Sequence, residues 1–357
     1  MRALFFMLMV LGLIACSSDE TNAPENPTDE TLYFPPLSGT EWATSDPTDL
    51  GWNTAKMAEL ESFLTATHTE AFLILHNGKI AYEAYFNGKT ATDVFPWNSA
   101  GKTLTAFTVG IAAQQNLLDL NDKTTAYLGR GWTSMSAEQE DAILIKNQLT
   151  MTSGGDFTAE NTACYDPECL QFKTAPDTEW YYYNAYYTLL QPVLDAATSN
   201  GFESFFENEL KTQIGLDGRW VSLGYNNVYF STARSMARFG LLNLSQGNWD
   251  GNQLLNSAYY KAMTTTSQEL NPAYGYLWWL NGKARYKLPG STQTFSGKLI
   301  PNAPDDLIAG LGANDKKLYV VPSKKMVIVR LGPAAYSEDL DPTSYDNDLW
   351  GVLNEVF

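Results

Sequence analysis

Residues 71–86 hold two β-favouring runs on either side of Asn77-Gly78. Asn-Gly suits a tight two-residue turn with both residues at positive φ, so this segment predicts a β-hairpin. Runs of similar texture return only near the end, at 274–280, 307–310, 317–321 and 326–331. The stretch between is mostly helical in pattern, over 102–115, 187–198, 203–212 and 232–245. A lone hairpin cannot bury its apolar face, and must find partner strands elsewhere. The order therefore predicts an α/β (α+β) fold in which one antiparallel sheet is built from both termini and flanked by helices. The domain is expected over 51–357, its α/β part at about 51–100 and 260–357. A mainly helical subdomain, about 101–259, is inserted. Asn53-Thr54 are expected to cap a first helix carrying Met57, Leu60, Phe63 and Leu64 on one face.

Composition narrows the function. Hydrophobic residues make up 44% of the 357-residue chain, enough for a sizeable core, and 40 acidic residues outnumber 23 basic ones. A net charge of −17 argues against nucleic acid and against a basic face for anionic lipid. The two histidines, His68 and His76, both fall in the first quarter. A His-dependent hydrolase or a multi-His metal site would have to use them. They stand eight residues apart across a helix-to-strand junction, without metal-ligand spacing, and His76 flanks the hairpin turn, so no metal is expected.

At the N-terminus, Arg2 precedes a short apolar run that is too short to span a bilayer. Leu13-Ile14-Ala15-Cys16 resembles a bacterial lipobox. The resemblance implies a signal peptide over 1–15, lipid on Cys16 and attachment to the cell envelope. With Ser17-Ser18 and no Asp after the cysteine, it looks like outer-membrane sorting, periplasmic or surface-facing. An ordinary secretory signal with an incidental cysteine is the alternative. Residues 16–50, rich in Ser, Thr, Asp, Glu and Pro, read as a flexible tether ending in a surface-hugging segment. Cys164 and Cys169 lie in a polar loop of an exported chain, where a local disulfide is expected. A redox or metal pair is the alternative, but the spacing is not Cys-x-x-Cys and no histidine is near.

The chemistry rests on two motifs. Ser99-x-x-Lys102 stands where a helix with Leu104, Phe107 and Ile111 should begin, which puts both side chains on one side of the first turn. A serine hydroxyl needs a base, and a desolvated lysine can serve as one. Alone, the pair is common and usually marks a solvated helix end. Downstream, Tyr182-x-Asn184 precedes another helix within the aromatic run 180–187.

Together these motifs resemble the serine β-lactamase and penicillin-binding-protein superfamily. The branch they look most like contains class C β-lactamases, family VIII esterases and 6-aminohexanoate-dimer hydrolases. Leu149-Thr-Met-Thr-Ser-Gly154, Ser231-Thr-Ala-Arg-Ser-Met-Ala-Arg-Phe-Gly240 and Tyr274-Gly-Tyr-Leu-Trp-Trp279 are similar to blocks of that branch, and the likeness extends over about 55–357. It implies acyl transfer through a covalent intermediate without metal or organic cofactor. Ser99 would be the nucleophile, Lys102 and Tyr182 would share the base role, and Asn184 would orient Lys102 or substrate. The third motif departs from the pattern. Gly312-Ala313 falls where the branch has a glycine and its second oxyanion donor, but no Lys or His precedes Gly312, and Lys316 replaces a common Gln. The cation that would bind the carboxylate of a β-lactam or D-Ala-D-Ala peptide is missing. Small esters, amides or peptides are therefore the expected substrates. A true β-lactamase or D,D-carboxypeptidase is the rival with the same chemistry. A surface lipoprotein that binds ligands through residues 180–187 without turnover is the rival of another class.

Overall fold

A computed structural model describes residues 31–336 and 343–357; the lipobox and Cys16 lie outside the described residues. In chain order the elements that frame the site are helix α1 (Met57–Ala66), strands β1 (Ala71–His76) and β2 (Lys79–Tyr85), and helices α2 (Lys102–Gln114), α3 (Asn184–Thr188), α4 (Leu190–Ala197) and α5 (Ala233–Leu244). Strands β3 (Trp279–Leu280), β4 (Ile308–Gly312), β5 (Lys316–Val321) and β6 (Met326–Leu331) follow, and helix α6 (Ser344–Val356) ends the chain.

The expected sheet forms, in the order β2-β1-β6-β5-β4-β3, antiparallel throughout. Ala71 pairs with Leu331 and His76 with Met326, so the N-terminal hairpin is zipped to the last strand. Asn77 and Gly78 both take positive φ, as the hairpin turn requires. Strands β5 and β6 are buried along their whole length because both faces are covered. On one face Leu318 and Val327 meet α5 at Gly240, where an added Cβ would come within 2.3 Å of Val327. On the other, Lys317 and Tyr319 reach Asp346 of α6, and Tyr319 packs edge-on to Trp350.

Several local expectations change. Strands do not return only near the end: Arg219–Leu223 and Asn226–Ser231 form a hairpin inside the stretch read as helical, and it pairs with Phe95–Pro96 ahead of Ser99. Helix α5 packs on β1, β5 and β6, so it belongs to the sheet layer although it falls within 101–259. Its Arg234 binds Glu83 of β2 through two 2.7 Å contacts, and Arg238 donates to the carbonyls of Ile214 and Pro36. Helix α2 carries no mere stripe: every residue from Lys102 to Ala112 is buried, because other elements surround it. Of 274–280 only Trp279–Leu280 is strand. Leu277 has φ +59°, and Tyr276 and Leu277 donate instead to the carbonyls of Met263 and Leu149. Asn53 makes no side-chain cap; the chain enters α1 through a 3-10 turn at Thr54–Lys56.

From Leu32 onward the expected tether is fastened. Tyr33 N–H donates to Asn77 O, Trp42 Nε1 to Gly78 O, and Ser45 N–H to Ile80 O, while Ile80 N–H donates to Ala43 O. This strap lies along β2, whose outer edge would otherwise expose unpaired backbone groups. Cys164 and Cys169 are joined by a disulfide, with Cα atoms 5.9 Å apart.

Candidate active site

The nucleophile segment enters from a short strand, Phe95–Pro96, and tightens into a 3-10 turn, Asn98–Gly101, before α2. Ser99 sits in that turn and Lys102 is the first residue of the helix. The Lys102 ammonium nitrogen is 2.8 Å from Ser99 Oγ. Lys102 is only 2% exposed, and its amine lies 4.0 Å from the ring centre of Tyr187 and 4.9 Å from that of Tyr182. No carboxylate among the described residues pairs with it. Burial alone, disfavouring the charged form, lowers its pKa to about 7.

Tyr182 is brought to the same place by the chain just before α3. Tyr181 N–H donates to Met151 O and Ala185 N–H to Thr162 O, which holds the segment on both sides. The ring of Tyr182 stacks on Trp279 at 5.8 Å. Burial drives its phenol well above the usual range, and the nearby Ser99 hydroxyl pulls it back only in part. It is therefore a proton holder at neutral pH. Tyr187, pushed up to about 12 by burial, also stays protonated.

The far wall is the end of β4. Gly312 pairs with Lys316, and an added Cβ would lie 2.4 Å from Trp97 O and 3.1 Å from Ala100 N. Only glycine lets this strand press against the turn that carries Ser99. Ala313 follows, and its carbonyl accepts a 2.8 Å hydrogen bond from Asn98 Nδ2. Asn314 and Asp315 both take positive φ in the turn to β5.

Ser99, Tyr182, Asn184, Gly312 and Ala313 line one cleft of about 420 Å³. Tyr181, Trp279, Leu288, Leu299 and Leu311 add apolar wall. Asn184 Oδ1 is buried without a protein partner, so it can accept a donor from a bound molecule. Lys316, which the sequence placed near this site, does not line the cleft; its ammonium donates to the carbonyls of Asn314 and Gly332. Lys317 does line it, but its ammonium is held by Asp315 at 3.1 Å and Asp346 at 2.6 Å. Neither histidine is among the lining residues.

Sequence reading missed Tyr187, Trp279 and Asn98. The first two are aromatic residues among many, with no local signal for contact to Lys102 or Tyr182. Asn98 carried one: it immediately precedes Ser99 and is a residue that tolerates left-handed backbone.

The comparisons with known proteins agree with this architecture. The family description "Beta-lactamase" matches residues 64–331. A putative 6-aminohexanoate-dimer hydrolase from Bacillus anthracis superposes with a TM-score of 0.67 at 20% identity, covering 91% of this chain and 89% of that one. A putative beta-lactamase from Bacteroides dorei gives 0.65 at 15% identity, covering 85% and 98%. Among curated sequences, an uncharacterized protein of Alkalihalophilus pseudofirmus is 23% identical over 296 residues, 72% of this chain and 81% of its own length. With its match spanning well over half of its residues, this chain belongs to the beta-lactamase family.

Proposed function

We propose that the protein is a serine hydrolase that cleaves small esters or amides through an acyl-enzyme on Ser99. The observation that carries this reading is the 2.8 Å contact between Ser99 Oγ and a lysine amine buried without a counter-ion. An amine with a pKa near 7 is unprotonated in a large fraction of molecules at neutral pH and can accept the serine proton. Ser99 Oγ then attacks the substrate carbonyl. The N–H groups of Ser99 and Ala313 receive the oxyanion, each such donor being worth about 2.7–4 kcal/mol in other hydrolases. Tyr182, which holds its proton, passes one to the leaving group, and the proton on Lys102 replaces it. Lys102 thus takes the base role, and Tyr182, whose phenol stays protonated, relays a proton to the leaving group. Asn184 orients substrate through its unpartnered oxygen. Water then attacks the acyl-enzyme by the same proton path in reverse.

Substrates without a carboxylate beside the scissile bond fit the cleft best, because Lys317, the cation lining it among the described residues, is already neutralised by two carboxylates. A fluorophosphonate probe should label Ser99 stoichiometrically, and Ser99→Ala should abolish labelling and turnover. Short p-nitrophenyl esters should be hydrolysed faster than nitrocefin. Efficient nitrocefin hydrolysis would move the assignment to a β-lactamase, and full ester hydrolysis by Ser99→Ala would overturn the mechanism. We further propose that Cys16 is lipidated and fastens the enzyme to the bacterial cell envelope, on the strength of the lipobox-like Leu13-Ile14-Ala15-Cys16.

A further inference from the structure

The two donors assigned to the oxyanion come from segments more than 200 residues apart in sequence, and one side chain ties them together. Asn98 has φ +49°, a left-handed conformation that asparagine tolerates better than most residues. In that conformation its Nδ2 donates to Ala313 O at 2.8 Å. The next residue is Ser99. The far side of the Ala313–Asp315 turn is braced from the sheet. Arg330, fully buried, donates from Nη1 to the carbonyls of Asn314 at 3.3 Å and Asp315 at 3.0 Å. Asp315 also accepts from Ala335 N–H and pairs with Lys317. The turn is thus fixed to the sheet by buried charge, and to the nucleophile turn by Asn98.

We propose that Asn98 is a positioning residue for acyl transfer, holding Ala313 in register with Ser99 so that their N–H groups meet at one oxyanion. The inference rests on the assignment of Ser99 as nucleophile. Gly312 brings β4 close to the turn, but close packing of a glycine resists approach and not sliding. The Asn98 hydrogen bond is directional and fixes the lateral position. A displacement of about 1 Å in such a site can cost a hundred-fold in rate, although no catalytic group is lost. Because the oxyanion develops only on the way to the transition state, the loss should fall on kcat and leave KM nearly constant.

Asn98→Gly tests this without confusing it with backbone strain, since glycine adopts the same φ at no steric cost. Asn98→Asp is the second variant: it keeps size and turn preference, but an ionised carboxylate cannot donate to a carbonyl. Steady-state hydrolysis of a p-nitrophenyl ester, the rate of fluorophosphonate labelling and the melting temperature would be measured for each. Both variants are expected to lose about ten- to a hundred-fold in kcat with KM within about two-fold, on the scale that misplacement gives. Labelling should be slower but still stoichiometric, with folding retained. If either folded variant keeps wild-type kcat while wild-type Ser99 is labelled, the Asn98 role is overturned and the nucleophile assignment stands. A rise in KM at constant kcat would also overturn it, by making Asn98 a substrate contact. If wild-type Ser99 resists the probe and Ser99→Ala retains activity, the nucleophile assignment fails and this inference fails with it.

Discussion

A lysine buried without a carboxylate is costly to charge, and Lys102 shows what that cost can do for catalysis. Its pKa of about 7 in the fold lies well below the value of about 10.4 expected in an unfolded chain. Acylation should therefore rise about ten-fold per pH unit below pH 7 and level off above it, as the free amine becomes the dominant form. A kcat/KM profile flat from pH 5 to 8 would sink the assignment of Lys102 as base. The same shift acts on stability with a definite sign. Between about pH 7 and 10 the unfolded chain binds the extra proton, so this residue's contribution improves as pH rises through that window. Below pH 7 both states are charged and the full penalty is present. Lys102→Met should accordingly melt higher than wild type at pH 6, while its activity falls about 10²–10⁴-fold. Tyr182→Phe should fall in the same range, and the double variant should be little worse than either, since the pair acts as one unit. At Gly312 the limit is steric. Gly312→Ala would drive a methyl group toward Trp97 O, so the strand must retreat from Ser99. A loss of about 10²-fold or more in kcat is expected, comparable to loss of one oxyanion donor.

Among the elements, the junction of β5 with α6 rests on a buried charge pair, Lys317 with Asp346. Burial alone would lower the Lys317 pKa, but Asp346 and Asp315 outweigh it and leave the residue firmly charged. Asp346 also accepts from Tyr319 OH at 2.6 Å. Asp346→Asn would leave a buried ammonium with only Asp315, and breaking a buried pair in this way costs about 3–5 kcal/mol. Chemical denaturation that finds Asp346→Asn within about 1 kcal/mol of wild type would show that Asp315 suffices, a result ordinary for exposed pairs but not for buried ones. None of this was legible in the sequence, which marks 317–321 as a strand but gives no signal that Asp346, 29 residues on, pairs with Lys317. The motifs Ser99-x-x-Lys102 and Tyr182-x-Asn184 were legible because the three- and two-residue spacings are local and the chemistry demands those residue types. What decides their pKa values is not local: burial by the surrounding elements shifts both, and neither spacing nor composition announces it. The strand expected at 274–280 failed for a related reason. Its aromatic residues suit a strand, but Leu277 takes φ +59° and the backbone bonds to Met263 and Leu149, a tertiary demand that overrides local preference.

At the scale of the molecule, the pattern of strands at both ends and helices between was enough to anticipate the sheet, because hairpin 71–86 had no partners nearby. It was not enough to assign α5 to the sheet layer, since an amphipathic helix does not reveal which neighbour covers its apolar face. The site is confined to Leu32–Phe357, which forms one unit with its own core. The envelope anchor has a test of its own. If Cys16 carries lipid, wild-type protein should sediment with membranes, and mass spectrometry of its N-terminus should find an acylated cysteine. A single acyl chain gives only marginal binding, so stable sedimentation implies more than one chain, as lipobox processing supplies. Cys16→Ser should move the protein to the soluble fraction while its kcat/KM on a p-nitrophenyl ester stays within about two-fold of wild type, because no residue of the cleft changes. An unacylated wild-type N-terminus would end the anchor proposal and leave the catalytic one untouched. Loss of activity in Cys16→Ser protein that remains folded would instead tie the N-terminal segment to the site.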